Sequence, residues 1–104
     1  MSPSTDVLPS NHVCLTASVA EMQSLRYTPA GLPALDLRLE HASAQHEAGG
    51  ERQVAVSLKA IAFGTLAERL ARQALASLWT FRGFLAQARN GKGVVFHIQE
   101  FQPH

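Results

Sequence analysis

Apolar and polar side chains alternate along this chain with a period of two, the spacing of β-strands that bury one face. The alternation is strictest in residues 32–44, where Leu35, Leu37 and Leu39 share one face and charged residues occupy the other. Further strands are predicted from His12, bent towards Tyr27, and at residues 53–63, 78–89 and 94–101. A sheet is therefore predicted to organise the protein.

Turn signals separate these strands. Pro29 and Gly31 supply turn chemistry before the second strand, and residues 45–51 are predicted to form a polar, mobile loop. Gly83 indicates a bend or a close approach of backbone within the fourth strand. Asn90-Gly91 predicts a hairpin that leads into the fifth strand.

One short helix is predicted after the third strand. Thr65 and Glu68 match a capping box, in which both side chains satisfy free amides at a helix start, and the helix is expected to reach about Ala74. The resulting order predicts an all-β chain, namely a five-stranded OB-fold barrel with a short helix between strands 3 and 4. The element order alone leaves open a five-stranded barrel of another type.

The length of 104 residues supports a single core. Residues 1–10 are rich in serine and proline and are predicted to be a flexible N-terminal tail, which leaves residues 11–104 as the folded domain. A domain of this size gains stability when a homodimer covers an open sheet edge. The formal net charge is only +1, so any surface that binds nucleic acid must come from the placement of charges.

Composition also bears on location. Cys14 is the single cysteine, so no intramolecular disulfide is possible, and a cytoplasmic protein is predicted. No stretch approaches the ~18 consecutive apolar residues of a membrane span, and no signal sequence begins the chain. The protein is therefore expected to be neither exported nor embedded in a membrane.

Neither metal binding nor catalysis is predicted. The histidines and the cysteine lack the paired spacing of metal ligands, so no metal and no cofactor are expected, and His41 and His97 are interpreted as partly buried or hydrogen-bonded residues. No nucleophile elbow, phosphate loop or dinucleotide motif is present. Glu40 and Glu47 are interpreted as solvated carboxylates rather than as an acid and base pair, so the chain is predicted not to be an enzyme.

Binding of single-stranded nucleic acid requires cations along the phosphates and flat side chains under the bases. Basic residues cluster at the loops that flank the binding face of an OB-fold, whereas scattered basic residues can also serve solubility alone. Trp79 and Phe81 are interpreted as core residues, and Tyr27 as the stacking candidate. Six residues are predicted to contact nucleic acid: Arg26, Tyr27, Arg52, Lys59, Arg89 and Lys92.

Several short motifs between residues 11 and 101 resemble the primosomal replication protein N (PriB) family of bacterial replication-restart factors. They are PAGLP at residues 29–33, LEH at 39–41, QHEAG at 45–49, RQ at 52–53, RGF at 82–84 and NG at 90–91. The resemblance implies an OB-fold homodimer that binds single-stranded DNA and stabilises and stimulates the PriA helicase at stalled forks. It also implies contact with loading proteins such as DnaT, and a place on the nucleoid at replication forks.

The resemblance carries basic DNA-contacting positions onto Arg26, Arg52, Arg89 and Lys92. Two departures from it concern DNA affinity, because Ala55 stands where better-known members carry a tryptophan, and Ala42 where they carry an arginine. Loss of a stacking residue removes ~1 to 3 kcal/mol of affinity. An alternative function is therefore a dimeric protein-interaction module whose main ligand is the PriA helicase, with weak DNA binding.

Overall fold

Strands make up most of the computed structural model, which describes residues 9–104. The elements are β1 (Val13–Met22), β2 (Arg26–Tyr27), β3 (Pro33–Glu47), β4 (Gly50–Phe63), α1 (Thr65–Ala71), β5 (Leu78–Gln87) and β6 (Val94–Pro103). Most of the predicted tail, residues 1–8, lies outside the described residues, so its flexibility stays a prediction.

The five long strands close into a barrel. The strand order is β1-β5-β6-β4-β3, and a further pairing of β1 with β3 completes the circle. All pairs are antiparallel except β4 with β6, where Ala60 and Ile61 lie parallel to Phe96 and His97. The predicted five-stranded OB-fold with one helix is confirmed. The two-residue β2 pairs only with the start of β3, so the predicted first strand divides in two after Met22.

The alternation in the sequence fills the barrel as expected. Each long strand turns its apolar face inwards, and α1 buries Ala67 and Leu70 against the barrel. Phe81 and Phe96 are fully buried. Trp79 packs at the edge of the core, where its ring centre lies 5.0 Å from that of Phe101. The interpretation of Trp79 and Phe81 as core residues is confirmed.

The predicted capping box is wrong, because Gly64 occupies the N-cap and no side chain of residues 9–104 bonds to the free amides of the first helical turn. The chain leaves β4 with a φ of 74° at Gly64, a left-handed conformation that glycine adopts without strain. Thr65 is therefore already helical and cannot cap. The helix also ends at Ala71, and Ala74 is exposed rather than packed on the sheet.

The loop predicted at residues 45–51 is instead the end of a long hairpin. β3 and β4 stay in register as far as the pair Glu47 and Gly50, and a two-residue turn joins them. Ala48 and Gly49 have φ angles of 51° and 79°, and positive φ at both turn residues suits the twist of paired strands. Because the turn is tight, the pairing of β3 with β4 continues beyond the barrel. Residues 42–55 therefore project from the barrel and are called the β3–β4 arm.

The predicted close approach at Gly83 is confirmed. A Cβ atom at this position would lie 1.8 Å from the carbonyl oxygen of His97, which is far below any permitted contact. The register between β5 and β6 shifts between Arg82 and Gly83. Glycine at this position therefore allows β6 to cross β5 closely as the sheet curves.

Candidate nucleic-acid interface

A groove of about 550 Å³ runs across the outer face of β3 and β4. The loop between β1 and β2 borders it on one side, and the connection between β5 and β6 borders it on the other. Strand alternation places Asp36 and Arg38 of β3 on this face, together with Lys59, Ile61 and Phe63 of β4. Two loops and two strands thus contribute side chains to a single surface.

Three of the six predicted contact residues line this groove. Arg26 reaches it from the strand that follows the first loop, Lys59 from the middle of β4, and Arg89 from the connection after β5. These residues are far apart in sequence, and barrel closure brings them together. The prediction that basic residues lie at the loops on both sides of one binding face fits the positions of Arg26 and Arg89.

Arg26 is held by Asp36. Its Nε donates to Oδ2 at 2.7 Å and its Nη2 donates to Oδ1 at 3.3 Å, which is a two-point contact between planar groups. The hydrogen bond to Asp36 and the nearby negative charge raise the pKa of the Arg26 guanidinium above its ordinary value. Both side chains remain about 40% exposed, so the pair lies in the groove rather than beneath it.

Arg38 also lines the groove, and the sequence analysis missed it. Its Nη1 donates to Glu40 at 2.6 Å and to Ser57 at 3.1 Å, while its Nη2 lies 3.2 Å from Glu21. The hydrogen bond from Arg38, together with its charge, holds the pKa of the Glu21 carboxyl below its usual range. The signal was available, because alternation already placed Arg38 on the outer face of the second strand.

The other two groove cations are free of carboxylate partners within residues 9–104. Lys59 lies directly opposite Arg38 in the strand register, and Arg89 lies in the connection between β5 and β6. Together with Arg26 and Arg38, they give the groove four cationic side chains against the carboxylates of Glu21 and Asp36. The groove therefore has a net positive charge although the whole chain is nearly neutral.

The remaining three predicted residues do not line the groove. Arg52 lies on the β3–β4 arm and forms an ion pair with Glu47 at 2.9 Å. Lys92 lies near the tip of the connection between β5 and β6, where its backbone amide donates to the Asn90 side chain. Tyr27 is 61% exposed on β2. Their contact with nucleic acid stays a prediction.

An aromatic row continues the groove onto β6 and β5. Phe63, which sequence analysis did not single out, is 37% exposed, and its ring centre lies 6.0 Å from that of His97. His97 in turn stacks on Phe84 at 4.8 Å with an angle of 13° between the rings. Phe63 and His97 line the groove, which therefore offers flat apolar surface beside its cations.

The described residues form no cluster of metal-ligating side chains. Across residues 9–104, no three His, Cys, Asp or Glu side chains come together as a metal site would require. His41 instead contacts the backbone oxygen of Thr16 at 2.6 Å and the Ser43 hydroxyl at 2.7 Å, which confirms its interpretation as a hydrogen-bonded residue. In the same part of the chain, no helix has the length and apolar character needed to cross a membrane.

Comparison with known proteins agrees with this architecture. A family model described as another single-strand binding protein family matches residues 11–100. The replication restart protein PriB of Bordetella pertussis is 44% identical over 91 residues, which cover 86% of this chain and 85% of that protein. The corresponding protein of Nitrosomonas europaea is 34% identical over 91 residues, covering 86% of this chain and 84% of its own length.

Solved structures lead to the same family. The structure of PriB from Ralstonia solanacearum superimposes with a TM-score of 0.84 at 36% identity, covering 92% of this chain and 99% of that one. A single-stranded DNA-binding protein from Thermus aquaticus superimposes with a TM-score of 0.72 at 27% identity, covering 91% of this chain and 50% of that one. The chain therefore belongs to the PriB family of replication restart proteins, which is related to the single-strand binding proteins.

Proposed function

We propose that this protein binds single-stranded DNA in the groove on β3 and β4, and that it acts in replication restart by stabilising and stimulating the PriA helicase at stalled forks. The observation that carries the proposal is the joint presence of Lys59, Arg89 and Phe63 in one groove. Cations along the phosphates and an aromatic ring under a base are the two elements of single-strand recognition. The names of the relatives support the role in restart.

The groove suits a single strand better than a duplex. It is bordered by loops on both sides, and its aromatic side chains require bases whose faces are accessible. In a duplex those faces are already stacked on one another. The proposed partners are single-stranded DNA, the PriA helicase, and loading proteins such as DnaT, with the nucleoid at replication forks as the proposed place of action.

A protein-interaction module is the second candidate function. Arg26 and Arg38 are already bound to carboxylates, so within residues 9–104 two of the four groove cations, Lys59 and Arg89, are left free for phosphates. If the protein is such an interaction module, the PriA helicase is its main ligand and DNA binding is secondary. The two functions differ in the salt dependence of binding. Phosphate contacts release counterions, so the binding constant falls steeply as the salt concentration rises, whereas binding through an apolar protein interface need not show this dependence.

Fluorescence anisotropy with labelled oligonucleotides tests the proposal. The protein is titrated into single-stranded and double-stranded DNA of the same length at two salt concentrations. Tighter, salt-sensitive binding of the single strand is the expected result. If neither DNA binds while the protein still raises the unwinding rate of PriA, the second candidate function is correct.

A further inference from the structure

The two arginines of the groove are occupied by carboxylates in a geometry that DNA phosphate also uses. A guanidinium group presents a planar fork that binds carboxylate and phosphate in the same two-point manner. Asp36 fills the fork of Arg26 with bonds of 2.7 and 3.3 Å. Phosphate can therefore bind Arg26 at this fork only by replacing Asp36.

Arg38 is occupied even more completely. Glu21 and Glu40 lie against its two terminal nitrogens, and Ser57 accepts a further hydrogen bond. Glu21 lines the groove itself, so its negative charge faces the path that a phosphate backbone would follow. Lys59 lies beside Arg38 in the register without a carboxylate partner among residues 9–104. The two occupied cations thus lie on β2 and β3, whereas the two cations without a carboxylate partner in the described residues lie on β4 and in the connection between β5 and β6.

We propose that Asp36 and Glu21 are built-in competitors of DNA phosphate, which set the affinity of the groove below the value that its four cations would otherwise give. This inference rests on the proposed function, since it concerns the same groove. Lys59 and Arg89 make the first phosphate contacts. At the edges that these carboxylates fill, Arg26 and Arg38 bind phosphate only after exchange, and each released carboxylate remains nearby and repels the strand.

Neutralising the carboxylates therefore tightens DNA binding. Asp36→Asn and Glu21→Gln keep the size of each side chain and remove its charge. Each is expected to lower the Kd for single-stranded DNA about three- to tenfold at low salt, because one competitor is lost and one repulsion is removed. Each is also expected to steepen the slope of log K against log salt by about 0.7, the contribution of one further phosphate contact on a single strand.

Glu100→Gln is the matched control. Glu100 pairs with Arg82 at 3.1 Å outside the groove, so this variant also breaks an ion pair and changes the net charge by the same amount. Its affinity is expected to match that of the wild type. Thermal unfolding of the three variants establishes that each is folded at the temperature of the binding assay.

Three other results would contradict the inference. If Asp36→Asn or Glu21→Gln weakens binding, the carboxylate holds its arginine in position for DNA and does not compete with phosphate. If both variants bind no more tightly than Glu100→Gln while the wild type binds normally, the inference fails and the proposed function stands. If neither the wild type nor any variant binds single-stranded DNA, the proposed function fails as well.

Discussion

At the scale of single residues, β4 places charge and flat apolar surface at neighbouring positions of the groove. Lys59, Ile61 and Phe63 follow one another on the outer face because alternate residues of a strand point the same way. Phe63 lies about 13 Å beyond Lys59 on the extended strand, with Ile61 between them, so a DNA strand that follows β4 passes a cation and then an exposed ring. This spacing makes Phe63 a better stacking candidate than Tyr27, which lies outside the groove.

Substitution of Phe63 tests this choice. Phe63→Ala is expected to weaken binding of single-stranded DNA by ~1 to 3 kcal/mol, since a base loses its stacking surface. Tyr27→Ala is the comparison, and we expect it to leave the affinity unchanged. Anisotropy titrations at constant salt measure both. If only Tyr27→Ala weakens the binding of single-stranded DNA, the stacking residue lies on β2, as predicted from the sequence.

The free groove cations lead to a prediction about salt. Lys59→Gln and Arg89→Gln should each make the slope of log K against log salt shallower by about 0.7, because each loses one phosphate contact on a single strand. Arg72→Gln removes the same charge at the end of α1, outside the groove, and should leave the slope unchanged. Equal effects of all three variants would mean that general charge, rather than the groove, attracts the DNA.

At the scale of elements, the pairing of β5 with β6 determines where the aromatic row lies. Phe84 lies opposite His97 in the register, and the neighbouring Gly83 lets the carbonyl of His97 approach the backbone of β5. A side chain at this position would have to displace backbone rather than a flexible side chain. The glycine therefore supports both the barrel and one edge of the groove.

Gly83→Ala is expected to destabilise the protein by more than ~3 kcal/mol, a large part of the 5 to 15 kcal/mol typical of a small domain. Gly50→Ala is the control, because no atom of the described residues 9–104 lies within 4 Å of a Cβ placed there. Urea unfolding followed by Trp79 fluorescence measures both variants. Equal stability of the two would show that β6 can move away from β5 at little cost.

At the scale of the whole molecule, β1 leaves part of one edge open. It pairs with β5 over residues 13–18, but with β3 only over residues 18–22. The edge of residues 13–17 that faces away from β5 has no strand partner in the described part of the chain, and the carbonyl of Thr16 on this edge contacts the His41 side chain instead. Open strand edges pair readily with other chains, so this edge supports the predicted homodimer.

Thr16→Pro tests this interface. The carbonyl of Thr16 points to the open edge, and its amide points the same way, so proline removes an edge donor while leaving the bonds to β5 in place. In a symmetric dimer two such bonds are lost, which is expected to raise the dimer Kd about thirtyfold. Analytical ultracentrifugation measures the dimer Kd, and Thr16→Val is the control variant, because it keeps the backbone amide. A dimer of Thr16→Pro as tight as the wild type would place the interface elsewhere.

The sequence by itself determined the elements whose signals are local. Period-two alternation predicted the long strands and their buried faces, and Gly83 predicted a bend or a close approach of backbone within the fourth strand. Alternation also placed Lys59 on the outer surface. The element order predicted the OB-fold barrel, and the resemblance to a family favoured it over other barrels and supported the choice of Arg26 and Arg89. The strands, their buried faces and the turns depend on the residues of one strand or one turn, which neighbours in sequence specify.

Only the tertiary structure decided which side chains meet. Arg26 and Asp36 belong to different strands, and the barrel register brings Glu21 to Arg38, so no spacing in the sequence reveals that half of the groove cations are neutralised. The same holds for the ring of Phe63 beside His97, and for Arg52, which the β3–β4 arm carries away from the groove. Such contacts arise from strand register and barrel closure, which join residues that the sequence separates.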